Sequence, residues 1–166
     1  TAGLLAVAWR RRLQALAWIA VAVAIPTSVV ILARTGVVVP HAYFLILFGV
    51  ATLWMGYSLD WLLVRWPVAA VADIVVVGVT LRALAAQPQE TPTAALAVQM
   101  TLLGAYLASI AVRTLVRGRN VIPFEVVQTA AALVVGLGGA LSVTQATGAG
   151  ASALGLASAL IGIACY

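Results

Sequence analysis

Arg113-Thr114-Leu115-Val116-Arg117-Gly118-Arg119-Asn120-Val121-Ile122-Pro123-Phe124-Glu125 is a short charged bridge between two long apolar runs. Pro123 and Glu125 read as a helix start: the missing N–H of proline costs nothing there, and a carboxylate meets the positive end of the helix dipole. The sequence on either side is too apolar to face water. This bridge and a few like it therefore decide how the chain threads a membrane.

Composition agrees. Of 166 residues 64% are hydrophobic and 8% charged, with a mean hydropathy of +1.16. An ordinary soluble domain carries roughly 25% charged residues. Repeated apolar runs of about 20 residues, each able to cross a hydrocarbon core of about 30 Å, indicate helices; barrel strands would alternate polar and apolar positions. The expected fold class is all-α, a polytopic transmembrane helical bundle in one domain over residues 1–166.

The net charge of +5 comes from nine arginines and no lysine. On such a chain it reports orientation in the bilayer, and nucleic acid is not expected as a partner. Without lysine, a Schiff base to retinal or pyridoxal has no amine to form on within these residues. The single Cys165 has no partner for an internal disulfide.

Read from its start, the chain gives a stub over residues 1–9, too short to span, then the basic knot Arg10, Arg11 and Arg12. Six membrane crossings are expected, near 13–33, 41–63, 67–86, 94–112, 123–144 and 153–166, the last incomplete. Pro26 breaks the first and predicts a kink, with Thr27 and Ser28 placed to hydrogen-bond locally. In the second, Gly49, Thr52, Gly56 and Asp60 share one face, a seam for another helix. Trp61 and Trp66 flank Arg65 as an interfacial belt, and Pro67 opens the third crossing. Residues 87–93, with Pro88, Glu90 and Pro92, form an exposed loop. The fourth crossing contains Gln99, Tyr106 and Ser109. Along the fifth, Glu125, Gln128, Thr129, Ala132, Gly136 and Gly139 make a polar-to-small stripe, again a protein-facing seam. Residues 145–152 are a turn, and Gly155, Ser158, Ala159 and Gly162 give the sixth crossing a small-residue face.

Counting arginines sets the topology. With the Arg10 knot cytoplasmic, alternation places Arg10, Arg11, Arg12, Arg65, Arg113, Arg117 and Arg119 on that side, where they also meet lipid headgroups, and leaves Arg34 and Arg82 with Glu90 outside. An apolar segment ending in an arginine cluster recurs roughly 105 residues apart, the outline of an internal repeat.

Trp9-Arg10-Arg11-Arg12, Ile25-Pro26-Thr27, Phe44-Leu45-Ile46-Leu47-Phe48 and the Trp/Arg-flanked end at 61–66, with the later Pro123-Phe124-Glu125 helix start, resemble a class of uncharacterised bacterial multi-pass membrane proteins. The resemblance implies a larger many-helix protein of which this chain is a part, in a bacterial inner membrane. It implies no activity.

Chemistry has few places to sit. The chain has no Gly-Xaa-Ser-Xaa-Gly elbow, no His-Glu-Xaa-Xaa-His, no phosphate-binding loop and no Cys-Xaa-Xaa-Cys. His41, the one histidine, lies at a membrane mouth beside Tyr43 and reads as a headgroup contact rather than a haem or chlorophyll ligand. No cofactor and no metal is expected. Asp73 stands out, about 9 Å of helix rise beyond Pro67, where a bare carboxylate is costly. It has to be paired, hydrated or protonated. Arg82, nine residues on, faces the opposite way, which leaves Arg65, Arg113 or Arg117 reaching inward, or Gln128 and Thr129. Asp73, Glu125 and Gln128 are the candidate ion-pair or proton/solute site.

The functional expectation is a non-enzymatic membrane subunit or domain whose seams pack helices within the chain or against partner subunits in the lipid bilayer. The alternative is a secondary transporter or channel for protons or small solutes using Asp73 and Glu125. An intramembrane enzyme ranks third, since polar residues are so few.

Overall fold

The computed structural model describes residues 2–59, 61, 63–85, 91–116, 118, 120–152, 154, 155 and 158. Among them the chain is helical throughout: α1 (Ala2–Arg11), α2 (Gln14–Thr35), α3 (Val39–Leu59), α4 (Arg65–Leu84), α5 (Pro92–Ala111), α6 (Pro123–Ala132) and α7 (Gly139–Thr147). A π-helical turn, Val112–Val116, prolongs α5, and another, Leu133–Gly138, joins α6 to α7 into one rod. Among the described residues five helical stretches are long and apolar enough to cross a membrane, ending with Pro92–Leu115 and Pro123–Thr147. The protein is membrane-embedded and α-helical. A sixth crossing at 153–166 falls largely outside the described residues.

α5 is the axle. Its residues Ala95, Val98, Gln99, Leu102, Leu103, Tyr106 and Ser109 are buried at the three- and four-residue steps of one helical face. They pack with Leu45, Ile46 and Leu53 of α3, Ala72, Val76 and Val79 of α4, and Ala132 and Val143 of the α6–α7 rod. In lipid the hydrophobic effect gains nothing from bringing helices together, so close packing over small residues has to hold them. Thr91 caps α5, its hydroxyl taking the Ala94 N–H at 3.2 Å, and Pro92 occupies the first helical position, where it forfeits no hydrogen bond.

α2 lies at the edge. Ala17, Ala20, Val21, Ala24 and Ser28 are buried on one narrow stripe. That stripe meets Leu5 and Ala8 of α1, Phe48 and Met55 of α3, and Val64 and Val68. Small side chains let this helix lie close while Trp18, Ile19, Val23 and Val30 face outward. The helix continues through Pro26. It ends at Gly36, whose φ of 68° is the left-handed conformation that glycine adopts without strain. The stub at the chain start is α1, and the expected connection at 34–40 shortens to three residues because α3 begins at Val39.

Expected boundaries shift elsewhere for local reasons. α3 stops at Leu59 instead of near 63, and α4 starts at Arg65, which places Pro67 inside its first turn rather than at its opening. In the fifth crossing Gln128, Ala132, Gly136 and Ala140 are all buried. Three consecutive steps of four residues overshoot a straight α-helical face by about 40° each. The wider π turn absorbs that drift and keeps the stripe aimed at α5.

Candidate functional site

Buried polar groups gather at three levels along the seam between α4, α5 and the α6–α7 rod. The first lies where α3 ends, α4 begins and the Arg113–Glu125 bridge closes. Glu125, fully buried at the third position of α6, accepts hydrogen bonds from Arg113, from the Tyr57 hydroxyl at 2.8 Å and, through its other oxygen, from the Ile122 N–H at 2.9 Å. Arg113 also donates to the Asn120 carbonyl at 3.1 Å. Its guanidinium lies 4.5 Å from the centre of the Tyr57 ring.

Arg65 completes this cluster without a carboxylate of its own among the described residues. It is 3% exposed, and its Nε and one terminal nitrogen have no hydrogen-bond partner. Its charge rests on aromatic faces, 4.6 Å from the centre of Phe124 and 5.9 Å from that of Tyr57. Trp66 packs edge-on against the same Phe124 at 4.9 Å. Each such cation–π contact offers up to about 2 kcal/mol when desolvated. Arg65 was expected with the headgroup-facing arginines; it lies instead inside the bundle, because α4 starts two residues early and turns it inward. Arg10, Arg11 and Arg12 are exposed as expected, whereas Arg117 and Arg119 lie outside the described residues.

The second level is Asp73. Of the partners the sequence offered, Gln128 is the one that meets it: the amide nitrogen lies 3.2 and 3.1 Å from the two carboxylate oxygens. Among the described residues no arginine reaches Asp73. Arg113 is held by Glu125, Arg65 by aromatic rings, and Arg82 donates to the carbonyl of Gly36 at 2.6 Å. Thr129 is partly buried beside Gln128. Tyr106 of α5 belongs to this level too. It is fully buried against the bare backbone of Gly49, and its hydroxyl lacks a hydrogen-bond partner.

At the third level the Gln99 amide donates to the Thr80 hydroxyl at 2.7 Å, and that hydroxyl donates to the Val76 carbonyl at 3.0 Å. The Gln99 carbonyl oxygen and the Thr144 hydroxyl are buried and unpartnered. An unsatisfied buried polar group costs about 1–3 kcal/mol. Glycine backbone closes the seam here. A Cβ on Gly139 would stand 2.8 Å from the Gln99 side-chain nitrogen and 3.0 Å from the Thr80 oxygen, and one on Gly136 would stand 3.0 Å from the backbone carbonyl oxygen of Gln99.

The stripe read from the fifth crossing is thus a packed seam, and Glu125 and Gln128 both lie on it. They do different work: Glu125 is saturated by cationic, phenolic and backbone donors, Gln128 serves Asp73. Sequence reasoning missed the Arg113 to Glu125 pairing and the part played by Tyr57. The signal was present in the bridge, since a connection this short brings the last turn of one helix beside the first turn of the next. Gly49, Thr52 and Gly56 are buried as a seam, and Asp60 lies outside the described residues. His41 uses one ring nitrogen locally, 2.8 Å from the Val37 carbonyl. No cluster of three metal-ligating side chains occurs among the described residues.

Fold and site together define a polytopic helical membrane protein with a buried polar seam. No protein-family model, curated protein or solved structure matches the chain.

Proposed function

We propose that this chain is a non-enzymatic helical membrane domain that packs within or against a larger membrane assembly. The observation that carries this reading is the closed seam, in which Gly136 and Gly139 admit α5 so closely that Gln99, Thr80 and Leu103 leave no room for a Cβ. Such a surface suits permanent helix packing, whereas transporters build polar, water-accessible cavities at mid-membrane. In this reading a sixth crossing follows residue 152, the membrane is a bacterial inner membrane, and the arginine-rich end is cytoplasmic. Arg65 and Arg113 share Tyr57 at one end of the bundle, and Arg82 ties to Gly36 at the other, which agrees with the charge bias.

The orientation is tested on a Cys165→Ser background. A membrane-impermeant thiol reagent added outside is expected to modify Glu90→Cys and to spare Gly118→Cys. Equal labelling of both positions would overturn the topology. Purification tests the packing role: the chain is expected to leave the membrane in a stable complex, and a homogeneous monomer that needs no partner counts against it.

A second reading, a proton or small-solute pathway, is favoured by Asp73. Its hydrogen-bond partner is a neutral amide, and among the described residues no cation pairs with its charge. Glu125 is already held by Arg113, the Tyr57 hydroxyl and the Ile122 N–H. The Asp73→Asn variant separates the two readings. The asparagine carbonyl still accepts from Gln128, so thermal stability in detergent is expected to stay within about 1 kcal/mol of the parent. Neither protein should pass protons in reconstituted vesicles. Parental flux that vanishes in a stable Asp73→Asn protein would overturn the packing role and establish the pathway.

A further inference from the structure

The Gln99 to Thr80 hydrogen bond fixes the register of α5 against α4, which run antiparallel. Seven residues back from Thr80 along α4 is Asp73; seven residues on from Gln99 along α5 is Tyr106. Seven residues is close to two turns and about 10 Å of rise, so both steps keep the same face and travel the same way along the bundle. Asp73 and Tyr106 therefore stand opposite each other, as Thr80 and Gln99 do.

The chemistry at this height is incomplete. The Tyr106 hydroxyl is fully buried and unpartnered, it lies within electrostatic reach of the Asp73 carboxylate, and no direct hydrogen bond joins them. Among the described residues the carboxylate accepts from Gln128 alone and retains lone pairs. A buried donor without a partner and a carboxylate with lone pairs to spare, at one height and not bonded directly, are what a bridging water satisfies.

We propose that Asp73, Tyr106 and Gln128 form a buried proton-binding site in which a water links the Tyr106 hydroxyl to the Asp73 carboxylate. The inference rests on the Asp73 reading above and adds the ligand and the third residue. In the charged state Tyr106 donates to the water, and the water and Gln128 donate to the carboxylate. Protonation forms one O–H bond at an Asp73 oxygen, with the proton delivered by water at the partly exposed edge of the carboxylate. The new acid hydrogen then points at the bound water, which turns a hydrogen toward the Tyr106 oxygen. No other group changes charge. Among the described residues on the elements packed around Asp73, Tyr106 of α5 is the titratable side chain at its height that its charge reaches. Tyr57 of α3, Glu125 of α6, Arg65 at the start of α4 and Arg113 beyond α5 are engaged with one another in the cluster at the arginine-rich end.

The test is infrared difference spectroscopy of the full chain in phosphatidylcholine–phosphatidylglycerol vesicles, titrated with acid. The parent is expected to show a carboxylic-acid carbonyl band that Asp73→Asn lacks, together with an internal-water O–H band that moves in oxygen-18 water. Tyr106→Phe should abolish the water band and move the acid carbonyl to higher frequency. Gln128→Met, which leaves the tyrosine in place, should move the carbonyl and keep the water band. A parent with no acid band assignable to Asp73 would overturn the Asp73 reading itself. An acid band that Tyr106→Phe leaves unmoved, with its water band intact, would overturn the role of Tyr106 and the shared water while sparing that reading. An Asp73 signal that follows sodium rather than acid would overturn proton binding in favour of a cation.

Discussion

Replacing Glu125 with leucine is expected to cost the fold roughly 3–5 kcal/mol, the range seen when one partner of a buried ion pair is removed. The carboxylate accepts from Arg113, Tyr57 and the Ile122 N–H, so its loss strands a cation, a phenol and the backbone amide of the residue that caps α6 together. Arg65 makes matters worse. Already without an acceptor for two of its nitrogens, it loses the one negative charge nearby among the described residues. Removing Arg113 as well should recover part of the loss, because a neutral apolar pair has nothing left to satisfy, and Arg65 and Tyr57 should keep the recovery incomplete. Chemical unfolding in mixed micelles, read for both single variants and the double, measures the coupling. Additive losses would mean that the pair contributes nothing as a pair.

The Gly139→Leu variant should lose roughly 3 kcal/mol, at the upper end for overpacking, and should assemble poorly. The Cβ alone would press on the Gln99 nitrogen and the Thr80 oxygen, so the new side chain cannot enter without breaking the hydrogen bond between them. The paired control is Val134→Leu, five residues earlier on the same rod and 72% exposed. A larger apolar group facing lipid should change stability by no more than about 0.5 kcal/mol. Size-exclusion profiles and thermal midpoints in detergent make the comparison, and a Gly139→Leu protein as stable and monodisperse as Val134→Leu would mean that the rod does not press against α5.

The crossings were legible because lipid demands long apolar helices, and apolar length is written plainly in a sequence. The seams were legible too, since small and polar residues recur there at helical spacing. Asp73 could be singled out for its depth, and the choice among its partners was narrowed to five, Gln128 among them. What sequence could not supply was the pairing of distant side chains. Which arginine meets which carboxylate depends on rotation about each helix axis, and a start shifted by two residues at α4 was enough to turn Arg65 from the membrane surface into the bundle. The π turn at Leu133–Gly138 was hidden for a related reason. Steps of four residues read as a rough α-helical stripe until the faces they must meet are known.

The tie from Arg82 to the Gly36 carbonyl has a consequence for how the protein is made. The two residues are separated by 46 positions, so the ribosome has released the α2–α3 corner long before the residue that holds it exists. At 5–20 residues per second, as a rough rate of synthesis, that interval is a few seconds. During it α2 has its small-residue stripe to keep it beside its neighbours, and the α2–α3 corner is fastened only once nearly all of α4 has been made.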